Sequence, residues 1–112
     1  MDVICTKSVA KLLGNPETAK RKLGRSARPA MKLVDRLRAS ENLEVFLKLG
    51  PTLNGRCHRL TGDLDGTFSV DLVHPYRLLF VPDPPADKTE DGYDYQSVTS
   101  VRITSLKEDT HK

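Results

Sequence analysis

Apolar and polar residues alternate at the start of the chain, and Val3 and Cys5 on one side of residues 2–5 predict a short strand. At Asn15-Pro16-Glu17 a side-chain acceptor precedes a proline suited to a first helical position. A helix is therefore expected from there to Leu23, with Gly24 as its terminator. Ala30, Leu33, Val34 and Leu37 then recur at i, i+3, i+4 and i+7, predicting a second helix from near Pro29, with Lys32, Asp35, Arg36 and Arg38 facing out. Leu43, Phe46 and Leu47 repeat the spacing within a third helix, Glu41 to Leu49, which Gly50-Pro51 stops.

From Asn54-Gly55 onward the apolar period shortens from about three and a half to two, and helices give way to strands. Arg56 to Thr61 reads as one strand, Gly62 to Gly66 as a hairpin connection, and Thr67 to Leu72 as the return, with Phe68, Val70 and Leu72 inward. His74-Pro75 is a second turn. Tyr76 to Val81 follows as a strand with Leu78 and Phe80 on one face and Arg77, Leu79 and Val81 on the other. Residues 82–96 carry three prolines and five acids and read as a long irregular loop, mobile for its length. Ser97 to Ser105 supplies a last strand. The expected fold is α+β, a small mainly antiparallel sheet with helices packed on one face. It forms one domain over residues 1–112, with a short strand and helices at 1–50, the sheet at 54–105 and a loose polar tail at 106–112.

A chain of 112 residues suffices for one small core, and its 38% apolar and 29% charged residues suit a globular protein. No apolar run approaches the roughly 18 residues of a bilayer helix, and the N-terminus lacks a signal-peptide apolar region, so a cytoplasmic protein without membrane contact is expected. Cys5 and Cys57 have neither CxxC spacing nor a Cys/His cluster. They predict no disulfide, no zinc site and no cofactor. Charge is split along the chain: residues 1–62 hold 13 Lys and Arg against 5 acids, a net of +8, and residues 63–112 hold 5 against 10, a net of −5. Lys20, Arg21, Lys22, Arg25, Arg28, Lys32, Arg36 and Arg38 share one short stretch with a single acid, Asp35. Such a stripe suits a phosphate backbone or an acidic protein partner, and it equally describes a solvated helix face.

His58, His74 and His111 are the side chains that ordinarily titrate near neutrality. His74 precedes a proline, where a turn role is the simpler reading. His111 lies beside the C-terminus, and His58 lies between Arg56 and Arg59. Arg77, in mid-strand, either faces a ligand or pairs with Asp71 on the neighbouring strand. Walker, GxSxG, HExxH and GxGxxG motifs are absent. RNA cleavage without a metal needs a base for the 2′-hydroxyl, an acid for the leaving 5′-oxygen and cations for the phosphate, and histidine and arginine supply all three.

These residues carry a resemblance. The segment GRCHRLTGDLDGTFSVDLVHPYRLLFVPD, followed after the acidic loop by QSVTSVRITSLKEDTH, resembles the RelE/HigB-like toxins of bacterial type II toxin–antitoxin systems, in particular the plasmid maintenance system killer branch. The matching positions are His58, Leu60, Gly62 and Asp63, then Tyr76, Arg77, Leu78 and Phe80. The resemblance implies a RelE-like fold and ribosome-dependent cleavage of messenger RNA. It also implies a helix-turn-helix antitoxin as partner, with operator DNA reached through that antitoxin. Carried over by position, His58, Arg77, Asp109 and His111 are the catalytic candidates. The RNA-binding set is Lys20, Arg21, Lys22, Arg25, Arg28, Lys32, Arg36, Arg38, Arg56 and Arg59. Thr110 stands where the family pattern has tyrosine, which removes a stacking surface and a phenol. Two functional classes follow: a ribosome-dependent endoribonuclease, or a non-catalytic binder of the same fold that poisons a target such as DNA gyrase or binds only antitoxin and operator.

Overall fold

A computed structural model of the chain describes residues 1–108. Strand β1 (Asp2–Cys5) leads into helices α1 (Lys7–Leu13) and α2 (Pro16–Leu23), a 3-10 turn (Gly24–Ser26), α3 (Ala27–Ala39), α4 (Leu43–Leu47) and α5 (Pro51–Asn54). The strands follow: β2 (His58–Arg59), a 3-10 turn (Gly62–Leu64), β3 (Phe68–Asp71), β4 (Tyr76–Pro82), the short pair β5 (Lys88–Thr89) and β6 (Gly92–Tyr93), and β7 (Ser100–Glu108). Five strands form one sheet in the order β1-β7-β4-β3-β2. Only the β1–β7 pairing is parallel; every other pairing in it is antiparallel. The architecture is the α+β one expected.

The helix boundaries follow from capping. Asn15 accepts the backbone N–H groups of Glu17 at 2.9 Å and Thr18 at 3.4 Å, so α2 starts at Pro16. Asn42 accepts Val45 N–H at 3.0 Å, so α4 starts at Leu43, two residues inside the expected span. Pro51 opens α5 as well as ending the segment before it. Helix α3 begins at Ala27, with Pro29 in its first turn, where the missing N–H costs nothing. Helix α1 was not expected from the pattern, because its apolar stripe is only Val9, Leu12 and Leu13.

Cross-strand partners define two sheet faces, since residues directly opposite each other point the same way. Phe68, Val70, Leu78, Phe80, Val101, Ile103 and Leu106 share the inner face and are buried with Leu33, Leu37, Leu43 and Phe46 of the helices. Phe80 stacks on Phe68 at 5.3 Å and meets Phe46 edge-on at 6.1 Å. A bulge in β7 at Thr104 restores this inward phase, placing Leu106 opposite Leu78.

Three expectations about the strands need correction. The strand foreseen over Arg56 to Thr61 is two residues long, because the chain is still leaving α5 at Gly55 and enters a 3-10 turn at Gly62. The last strand does not end at Ser105. It runs through Glu108, and Leu106, assigned above to a loose tail, is buried against the core. The acidic loop contains the β5–β6 hairpin and inserts Tyr95 edge-on against Phe68 at 5.5 Å.

Candidate functional site

The outer sheet face is where the candidate residues meet. His58 lies opposite Ser69, Ser69 opposite Leu79, and Asp71 opposite Arg77, so His58, Asp71 and Arg77 share one face, on the side away from the core. The short β2 achieves this although His58 alternates with Arg59, because its register against β3 turns His58 outward. Glu108, the last described residue, is opposite Tyr76, and Lys107 is opposite Arg77.

Gly55 and Arg56 run alongside β3, next to Asp71. The Asp71 backbone N–H donates to Gly55 O at 2.7 Å, and a β-carbon on Gly55 would stand 2.4 Å from Val70 Cγ1 and 2.9 Å from Asp71 O. Glycine thus lets the chain leaving α5 lie directly on β3. Both Gly55 and Arg56 have left-handed backbones, φ +66° and +56°, a conformation that costs a non-glycine residue about 1 kcal/mol or more. Arg56 Nε consequently lies 3.6 Å from one oxygen of Asp71, while Arg77 Nε lies 3.8 Å from the other. The ion pair weighed for Arg77 therefore exists, but it is long, and the Arg77 side chain remains 41% exposed. Two guanidiniums flank one carboxylate, so these three side chains together carry positive charge toward an anion. Arg56, Asp71, His74, Tyr76 and Arg77 line a depression of about 350 Å³ at this point.

His58 is exposed, and its Nδ1 lies 3.0 Å from the carbonyl oxygen of Arg56. A carbonyl can only accept, so Nδ1 carries a hydrogen, and in the neutral ring Nε2 then presents a lone pair. This arrangement makes Nε2 a proton acceptor. Asp109 and His111, the other two catalytic candidates, and Thr110 lie outside the described residues.

The basic stripe divides around the same face. Arg28, Lys32 and Arg36, at i, i+4 and i+8 of α3, line a shallow cavity of about 260 Å³ with Gly55, so Gly55-Arg56 separates it from the Arg77 depression. On the other side Tyr76 Oη donates to Lys22 O at 3.5 Å, and Ser26 Oγ bonds both backbone groups of Val73 at 3.1 Å. These bonds bring the segment carrying Lys20, Arg21, Lys22 and Arg25 beside the β3–β4 turn, with all four side chains exposed. Arg36 donates to Leu53 O at 3.1 Å and is half-buried. Arg38 departs from the group. Two residues beyond Arg36 it is rotated about 200° around the helix, toward β1, where its charge acts on Cys5.

Arg59 also departs. It points opposite to His58, its guanidinium 4.2 Å above the Tyr93 ring, 2.8 Å from Asp65 and 2.9 Å from Tyr93 Oη. Its partners are internal, and it lines a separate cavity of about 340 Å³ with Phe68, Tyr93 and Tyr95. Burial pushes the Tyr95 phenol up, with the Arg59 charge opposing it, and pushes the Cys57 thiol up to about 12. Among the described residues no group of three His, Cys, Asp or Glu side chains could hold a metal ion, and no helix is long and apolar enough to cross a membrane. Pattern reasoning passed over Gly55, for which the Asn-Gly dipeptide was the one signal; His74, read from sequence as a turn residue, stands in that turn and also lines the depression.

No protein-family profile and no curated protein matches the chain. Among solved structures, a YoeB/ParE toxin from Agrobacterium tumefaciens superposes with a TM-score of 0.53 at 17% identity, covering all of both chains. At that identity the likeness speaks for the backbone alone, and together with the sheet order and the helices on its inner face it shows that this chain has the YoeB/ParE-type toxin fold.

Proposed function

We propose that this protein is the toxin of a bacterial toxin–antitoxin pair and acts as a ribosome-dependent messenger RNA endoribonuclease of the HigB-like branch. The observation that carries this reading is the placement of His58 and Arg77 on one polar sheet face, with Arg56 and Asp71 between them and cationic helices on both sides. In the reaction His58 Nε2 takes the proton of a ribose 2′-hydroxyl, and the 2′-oxygen attacks the adjacent phosphorus. Arg77 and Arg56 stabilise the charge growing on the phosphoryl oxygens. The bond from phosphorus to the 5′-oxygen breaks as a second histidine protonates that oxygen, leaving a 2′,3′-cyclic phosphate and a 5′-hydroxyl. By sequence the second histidine is His111, with Asp109 orienting it; Asp109 is the covalent neighbour of Glu108, which stands opposite Tyr76. The partners on this reading are the ribosome with its message in the cytoplasm, a helix-turn-helix antitoxin, and operator DNA through the antitoxin.

The solved structure of like fold bears both the YoeB and the ParE name, which supports a second reading in which the chain binds and poisons a protein target such as DNA gyrase without catalysis. Induced expression separates the two. New 5′ ends within translated messages, lost with Arg77→Ala, are expected for the ribonuclease. Intact messages with inhibited gyrase supercoiling would replace it with the second reading.

A further inference from the structure

His74 stands in the turn between β3 and β4, exposed, on the wall of the depression formed by Arg56, Asp71, Tyr76 and Arg77. The turn is held without its side chain. Ser26 Oγ donates to Val73 O and accepts from Val73 N–H, each at 3.1 Å, and Tyr76 N–H donates to Val73 O at 2.9 Å. The imidazole itself makes no hydrogen bond or ion pair among the described residues. It is thus a titratable ring with no structural task, placed on an anchored turn beside two guanidiniums that flank one carboxylate.

We propose that His74 is the proton donor of the cleavage reaction, giving its imidazolium proton to the departing 5′-oxygen of a phosphodiester held between Arg56 and Arg77. This rests on the ribonuclease reading above and changes one of its assignments, replacing His111. The two described histidines on this face differ in what they can do. His58 has its Nδ1 hydrogen committed to a carbonyl, which leaves Nε2 as the ring atom open to substrate. His74 has both ring nitrogens uncommitted among the described residues, so either can carry a hydrogen toward a bound phosphodiester. The proton removed from the 2′-hydroxyl ends on His58, the proton from His74 ends on the 5′-oxygen, and exchange with water restores both rings. The charged and titratable groups facing His74 are Arg56 from the α5–β2 connection, Asp71 from β3, and Tyr76 and Arg77 from β4.

The test is single-turnover cleavage of a message on programmed ribosomes across pH, for the parent and for His74→Ala, His58→Ala and His111→Ala, with thermal melts of each. The expected result is a bell-shaped parent profile. His74→Ala should lose about 10²-fold or more in rate together with the alkaline limb, and added imidazole should partly restore it. Its melting temperature and its half-saturating ribosome concentration should stay near the parent's. If His74→Ala melts early, His74→Asn, which keeps a turn-forming residue, carries the comparison. Cleavage within twofold of the parent, an alkaline limb that survives, or loss of that limb in His111→Ala instead would overturn the assignment while leaving the ribonuclease reading intact. A parent that cleaves at no pH overturns both.

Discussion

Arg77 tests the site most directly at the scale of single residues. Its ion pair with Asp71 is 3.8 Å long and partly exposed, so that pair accounts for at most about 1 kcal/mol of any fall in the urea midpoint, and Arg77→Ala should abolish toxicity in protein that still folds. A large fall in midpoint with activity intact in the folded fraction would make Arg77 a structural residue. Gly55 is predicted to behave in the opposite way. Gly55→Ala drives a methyl against Val70 and the Asp71 carbonyl and should destabilise by about 1–3 kcal/mol in denaturant melts, with Arg56 displaced. Ser69, fully buried with an unpartnered Oγ, should tolerate Ser69→Ala with no loss of stability, because the substitution removes an unsatisfied polar atom. His58 and Arg77 were singled out in sequence by residue type and by the segments 58–63 and 76–80, and both lie on the outer sheet face. The placement of Gly55 and Arg56 beside Asp71 was not readable, because it depends on where the α5–β2 connection meets β3, a meeting that no local pattern encodes.

Among the elements, α2, α3 and the connection between them carry the cations that would meet RNA. Replacing Lys22, Arg25, Arg28 and Lys32 with Gln should weaken ribosome association and flatten its salt dependence by about one unit of slope for each phosphate left without its cation. Arg38→Gln should leave the slope unchanged, since that side chain faces β1; equal effects from both variants would mean a diffuse charge effect instead of a docking face. The helices with a full apolar stripe or a capping asparagine were readable to within about two residues, as Asn15 and Gly24 illustrate for α2. Helix α1 and the true extent of β7 were not. Three apolar residues make too thin a stripe to signal a helix, and β7 depends on a bulge at Thr104 that breaks strict alternation before Leu106 returns to the core.

For the whole molecule, the half-buried thiol of Cys57 adds to the loss of stability at alkaline pH. Its value is raised from 9.0 to about 12, so the folded state holds the neutral form while the unfolded state ionises first. That contribution to stability is complete below pH 9.0 and is lost as pH rises toward 12; Cys57→Ser should remove this part of the alkaline fall in melting temperature, and native Cys57 should resist alkylation at pH 8. The charge division read along the chain also persists in space. Asp63, Asp65, Asp87, Glu90 and Asp91 are exposed in the turns and hairpin away from α3, so the basic helices are not masked by the acids of the second half. The parallel pairing of β1 with β7 has a consequence of timing. The first strand made during synthesis must wait for the last, and that last strand occupies the middle of the sheet between β1 and β4. Until β7 has left the ribosome, as far as Lys107 opposite Arg77, both neighbours present open edges and Arg77 has support on one side only. The outer face therefore assembles in one late step, and a chain interrupted before β7 lacks the surface that brings His58, Asp71 and Arg77 together.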